Sequence, residues 1–119
     1  MRLNIRESKF ALTHPGAALS YLTRMGKIAK LVGCSTSEVK HVFNERGLTE
    51  VSEQVVNELG GNIQLIMGPS LRPRKAEVYY SIVRLSKHSV VVETGVQSGI
   101  SSSFILQALE KNGEGKLYS

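Results

Sequence analysis

Residues 89–104 read SVVVETGVQSGISSSF, and no other stretch limits the fold of this chain as strongly. Three consecutive valines favour an extended strand. A continuous apolar run, as opposed to an alternating one, is the pattern of a strand covered on both faces of a parallel sheet. Glu93 ends the run, and Gly95 and Gly99 follow four residues apart. Gly95 permits a tight turn that brings backbone against a ligand, and Gly99 lets the next helix start close to the strand. Residues 99–112 carry a helical pattern, Gly113 and Gly115 make a turn, and KLYS at 116–119 opens a second strand. Strand, glycine turn, helix, turn and strand form a βαβ unit, which places the first turn at the carboxyl end of its strand, where ligands bind.

The helix that opens near Gly99 has unpaired first-turn amides and the positive end of a dipole, both of which favour a carboxylate or phosphate. A dinucleotide site needs G-x-G-x-x-G, so that pyrophosphate can approach the backbone. GVQSGI has Gln97 at the middle glycine and Ser98 next, and the fingerprint fails. An acid directly before such a turn suits a ligand with an amino group, a carboxylate and ribose hydroxyls: the acid takes the donors and the amides take the carboxylate.

VVETGVQSGISSSFILQALEKNGEGKLYS resembles the first motif of class I S-adenosylmethionine-dependent methyltransferases, E-x-G-x-x-x-G-x-S. It is most similar to the catechol and caffeoyl-CoA type O-methyltransferases and to related small-molecule or sugar methyltransferases. The resemblance covers about the last fifty residues and implies the start of a Rossmann-like S-adenosylmethionine-binding domain at 61–119; with the helical spacing read at 1–60 the expected fold is α/β, an N-terminal helical region followed by the first βαβ unit of that sheet. Carried over by position, Glu93 would bind the methionine amino group and Gly95 and Gly99 would make the cofactor turn. The backbone of Val96, Gln97 and Ser98 would line it, and Ser101 would hydrogen-bond the methionine carboxylate. The family places the acid that holds the ribose just past KLYS, whereas this sequence stops at Ser119. The resemblance therefore implies the N-terminal portion of a longer enzyme, or a shortened relative that completes its sheet by self-association, and residues 1–119 alone are not expected to turn over. The methyl acceptor and the catalytic base are not encoded in what is present.

Upstream, Pro15 follows Thr13 and His14 as a helix entry, with apolar residues at Ala18, Leu22, Met25, Ala29 and Val32 in helical spacing. Gly33 stops that helix. In STSE, Ser35 caps a second helix and Glu38 reaches back to the cap nitrogen, with Val39, Val42 and Phe43 inward and an end near Gly47. A third helix is predicted from Thr49 to Gly60, a short extended segment at 62–70, and a helix over 73–87 with Val78, Ile82 and Leu85 on one stripe. The first two helices also fit a helix-turn-helix at 25–46. Thr36, Ser37, Lys40, His41 and Asn44 would then face DNA, with Arg24, Lys27 and Lys30 nearby. The alternative is a helical cap or substrate element on a methyltransferase; binding to phosphates would weaken steeply with salt, and small-molecule binding need not.

At 119 residues the chain holds one core. Its formal charge of +5 is moderate, and Asp is absent, which removes a common metal ligand and catalytic carboxylate. A single cysteine, Cys34, excludes an internal disulfide and makes a reducing, cytosolic setting the default. No aliphatic run approaches the length of a membrane span, and the N-terminus lacks the apolar region of a secretory signal. His14, His41 and His88 lie far apart with no acidic neighbour at ligand spacing, so the sequence predicts no metal site. Cys34 reads as a packed residue, the pair Tyr79 and Tyr80 as one buried and one exposed ring, and RPRK at 72–75 as a solvated helix entry.

Overall fold

The computed structural model describes residues 15–45, 73–96 and 99–119, together with positions 50, 54, 57 and 58. Four helices, α1 (Pro15–Val32), α2 (Thr36–Phe43), α3 (Pro73–Ser86) and α4 (Ile100–Asn112), combine with two strands, β1 (Val90–Val92) and β2 (Lys116–Tyr118). The strands pair in parallel, with Val90 opposite Lys116, Val91 opposite Leu117 and Val92 opposite Tyr118. Since α4 connects them, the expected βαβ unit is present. Its ladder is framed by Lys116 N donating to Ser89 O at 2.9 Å and Glu93 N donating to Tyr118 O at 2.8 Å. Glu93 is thereby fixed by its backbone at the carboxyl end of β1.

Among the described elements, α3 is central because it is apolar on two sides. Ala76, Tyr80 and Val83 join Ile100, Phe104, Ile105, Ala108 and Leu109 of α4, with Val91 and Leu117 packed against them from the sheet. On its other side Val78, Ile82 and Leu85 pack against Met25, Ile28, Ala29 and Val39 of α1 and α2. Tyr80 and Phe104 are fully buried, which contributes about 3 kcal/mol each in removed apolar surface. Tyr79 is 43% exposed, so the tyrosine pair divides as its sequence position suggests.

The turn between α1 and α2 follows the sequence closely. Gly33 N and Cys34 N both donate to Ala29 O, and Ala29 is buried where the helices meet. Ser35 N donates to Glu38 Oε2 at 2.8 Å while Glu38 N donates to Ser35 Oγ at 3.2 Å, a reciprocal capping box. The Ser35 amide, and after it the Ser35 hydroxyl, which also donates to Glu38 Oε2 at 2.8 Å, hold the Glu38 carboxyl below the usual carboxylate range. Helix α2 stops at Phe43, earlier than the glycine signal at 47 suggests. The cause is Asn44, whose side-chain amide donates to Lys40 O at 2.8 Å and closes the last turn.

Two expectations about the βαβ unit are corrected. Strand β1 is not covered on both faces: Val91 is turned to the core, but Val90 is 55% exposed and Val92 71%. Among the described residues, α3 and α4 cover one face of a two-stranded sheet, so alternate side chains of each strand, Tyr118 included, face outward. Nor does Gly99 serve close packing, since a Cβ there meets nothing within 4 Å; it is required because φ is +73°, a left-handed conformation. The crowded glycine is Gly115, at φ +116°, where a Cβ would stand 2.5 Å from Leu109 Cδ2. Gly115→Ala is accordingly expected to cost about 2 kcal/mol or more from backbone strain and displacement of Leu109, read as a lower urea midpoint.

Of the segment 49–59, the described positions are helical, with Gln54 Nε2 donating to Glu58 Oε1 at 2.9 Å. The expected extended segment at 62–70, and Gly47, lie outside the described residues.

A polar network not anticipated from the sequence ties α2, α3 and α4 together. Glu45, just past α2, receives Arg84 Nε at 2.9 Å, Arg84 Nη2 at 2.7 Å and Tyr80 Oη at 2.6 Å. Arg84 Nη1 also donates to Asn112 Oδ1, and Asn112 Nδ2 to Val83 O at 3.0 Å. Burial pushes the Glu45 carboxyl up, but the hydrogen bonds from Arg84 and Tyr80 and the Arg84 charge together outweigh it and hold it below its ordinary value. Burial, and then the bond and charge of Glu45, push the Tyr80 hydroxyl up. A depressed carboxyl stabilises the fold at pH above its unfolded value of about 4.3, and that stabilisation is lost as pH falls through the lower folded value. Unfolding midpoints measured between pH 6 and pH 3 should therefore fall more steeply for the native protein than for Glu45→Gln.

Candidate functional site

The site is assembled at the carboxyl end of β1. Val96 O accepts from Gly99 N at 2.7 Å, which closes the turn, and Gly99 is the N-cap of α4. With no side chain of its own, Gly99 leaves the first turn of α4 without a side-chain cap. Glu93 sits against that first turn: Ser101 Oγ donates to its Oε1 and Ser102 Oγ to its Oε2. Ser102 is 9% exposed, so one of the two hydroxyls holding the carboxylate belongs to the interior. Among the described residues no Lys, Arg or His forms an ion pair with Glu93.

A cleft of about 420 Å³ opens beside this carboxylate. Its apolar wall comes from Ile82 and Val83 of α3, Val91 of β1 and Ile105 of α4; Glu93 and Ser101 supply its polar end, and Tyr79 lines it as well. A carboxylate with two hydroxyl donors and no cationic partner among the described residues, beside an apolar wall and a helix N-terminus, can accept a cationic amine while the helix amides take an anion.

Of the residues expected at the site, Glu93, Gly95 and Ser101 line the cleft together. Gly99 shapes the turn from behind, and Val96, 38% exposed, is not part of the lining. Gln97 and Ser98 lie outside the described residues. Ser101, expected to face a ligand carboxylate, has its single proton engaged by Glu93. Ser102 was missed, although two adjacent residues in the first turn of a helix both lie near the end of the strand that precedes it. Tyr79 was missed as a lining residue for another reason: its packing pattern alone gives no sign that its exposed face borders the cleft.

Elsewhere, burial and the nearby Glu38 charge push the Cys34 thiol up, so it is not a poised nucleophile. Among the described residues no three His, Cys or Glu side chains converge on a metal position, and no helix is long and apolar enough to cross a membrane. Comparison with protein-family models, with curated proteins and with solved structures found no match to this chain.

Proposed function

We propose that this chain carries the first part of the cofactor site of a class I S-adenosylmethionine-dependent methyltransferase, with β1, α4 and β2 forming the opening unit of a Rossmann-like sheet. The observation that carries the reading is Glu93: a carboxylate without a described cationic partner, held at the tip of a parallel strand, against a helix N-terminus and at the polar end of a cleft. In this reading S-adenosylmethionine supplies an electrophilic methyl group on sulfur. Glu93 accepts the ammonium of its amino-acid end, and the first amides of α4 face its carboxylate. The apolar wall of Ile82, Val83 and Ile105 excludes water from that end of the site. The reaction is methyl transfer to an oxygen or nitrogen of a small molecule or sugar, where the protein's contribution is alignment and water exclusion. Among the described residues the sheet has two strands and thus two unpaired edges, which supports completion by further strands, and its outward Val90, Val92 and Tyr118 support covering by a further layer or by self-association.

Calorimetric titration of the full-length protein tests this reading. Saturable binding of S-adenosylhomocysteine is expected, with no heat from NAD, because the turn lacks the glycine that a pyrophosphate requires. Equal binding of the two, or binding of NAD alone, would overturn the assignment.

A helix-turn-helix reading of 25–46 is the competitor. Thr36, Ser37, His41 and Asn44 are exposed on α2 as it requires, and Lys40 is half-buried. Helix α2 carries one Glu and one Lys, so its own charged pair cancels, and phosphate neutralisation dominates DNA affinity. The apolar sides of α1 and α2 pack on α3, whose Ile82 also lines the cleft, so the two helices sit behind one of its walls.

A further inference from the structure

The two serines on Glu93 are not equivalent, and their difference assigns them separate roles. Ser101 lines the cleft and is partly exposed, whereas Ser102 is buried and lies outside the lining. Each hydroxyl has one proton, and each gives it to a different oxygen of the same carboxylate. We propose that Ser102 is a positioning residue that holds Glu93 Oε2 throughout, while Ser101 is an exchangeable donor that leaves Oε1 only when an ammonium arrives, and so becomes free for the ligand carboxylate that the family resemblance assigns to it. This rests on the methyltransferase reading of the cleft.

The exchange follows from donor accounting. A carboxylate accepts at both oxygens, so an ammonium entering from the cleft meets Oε1, the oxygen occupied by the cleft-side serine. Releasing Ser101 frees an acceptor for the ammonium and a donor for the neighbouring carboxylate in one rotation about its Cα–Cβ bond. Ser102 has no such alternative, because it is enclosed, and Glu93 N is anchored to Tyr118 O on the far side. Without Ser102 the carboxylate is free to swing, and the geometry for the ammonium is no longer set in advance.

Two consequences separate this from a purely structural role. Ser102 acts only on the amino-acid end of the ligand, so its loss should not affect a nucleoside that lacks that end. Ser101 gives up one bond to make another, so its net contribution is the difference between two similar bonds and is small, even though it touches the ligand.

The test is calorimetric binding of S-adenosylhomocysteine and of 5′-methylthioadenosine, which has no amino or carboxylate group, to the full-length protein and to Ser101→Ala, Ser102→Ala, Ser102→Thr and Glu93→Ala. Ser102→Ala should weaken S-adenosylhomocysteine by roughly tenfold, the scale of one hydrogen bond to a charged group. It should leave 5′-methylthioadenosine unchanged, and Ser102→Thr should recover most of the loss. Ser101→Ala should change S-adenosylhomocysteine affinity by less than about threefold, since one bond replaces another. The proposal is overturned if Ser102→Ala weakens both ligands equally, if it weakens neither, or if Ser101→Ala is the more damaging variant. Native protein that binds neither nucleoside, or Glu93→Ala that binds S-adenosylhomocysteine normally, would instead remove the methyltransferase reading itself. The 5′-methylthioadenosine arm also reports whether Ser102→Ala is folded.

Discussion

Arg84→Ala is expected to lower the free energy of unfolding by about 3 kcal/mol, the scale for stripping one partner from a largely buried ion pair. The guanidinium donates to Glu45 through two nitrogens and to Asn112 through a third, and it is 21% exposed against 15% for Glu45. Removing it leaves the Glu45 carboxylate in place with Tyr80 alone, and it releases Asn112, which otherwise locks the end of α4 to Val83 of α3. Small domains hold only about 5–15 kcal/mol in total, so a loss of this size is visible directly in a urea or thermal midpoint. The double variant Arg84→Met with Glu45→Leu should recover a substantial part of it, because the uncompensated charge is then gone as well. Tyr80→Phe should cost less, about 1 kcal/mol, since it deletes one donor and keeps the ring in the core.

Glu93→Ala is expected to weaken S-adenosylhomocysteine by about 10- to 100-fold, the range for hydrogen bonds to a charged group. The direction of the accompanying stability change is also fixed by the structure. Ser102 Oγ loses its acceptor while buried, so the variant should be less stable than the native protein by about 1 kcal/mol. Equilibrium dialysis against labelled S-adenosylhomocysteine, run beside a thermal melt, reads both effects. Unchanged affinity with the stability loss would leave Glu93 with a structural role only.

The parts of the fold that were legible in the sequence are those that a few neighbouring residues determine. The capping box of Ser35 and Glu38 and the stop at Gly33 depend on groups within four residues of one another and form as their pattern indicates, and β1 and α4 stand where the sequence places them. The register of the buried face of α1 was less clear. The apolar series Leu22, Met25, Ala29 and Val32 fits a stripe, yet the core takes Met25, Ile28 and Ala29 and leaves Leu22 39% exposed, because α3 decides which side is covered. The Glu45, Tyr80, Arg84 and Asn112 network spans up to 39 residues between bonded partners, and no local spacing announces it. For the site, the acid and the glycines were visible because the turn is local. That Ser101 and Ser102 would both close on Glu93 depends on how the first turn of α4 packs against the end of β1, which is a matter of tertiary geometry.

The proposed role of Glu93 is to hold the amino-acid end of a sulfonium nucleoside in the cleft beside α4. A crystal structure of the full-length protein soaked with S-adenosylhomocysteine tests it most directly. The ligand ammonium is expected within about 3 Å of a Glu93 carboxylate oxygen. The ligand carboxylate is expected over the first turn of α4, with Ser101 turned away from Glu93 and Ser102 still on it. A nucleoside bound elsewhere, or one whose ammonium meets another group while both serines stay on Glu93, would contradict it.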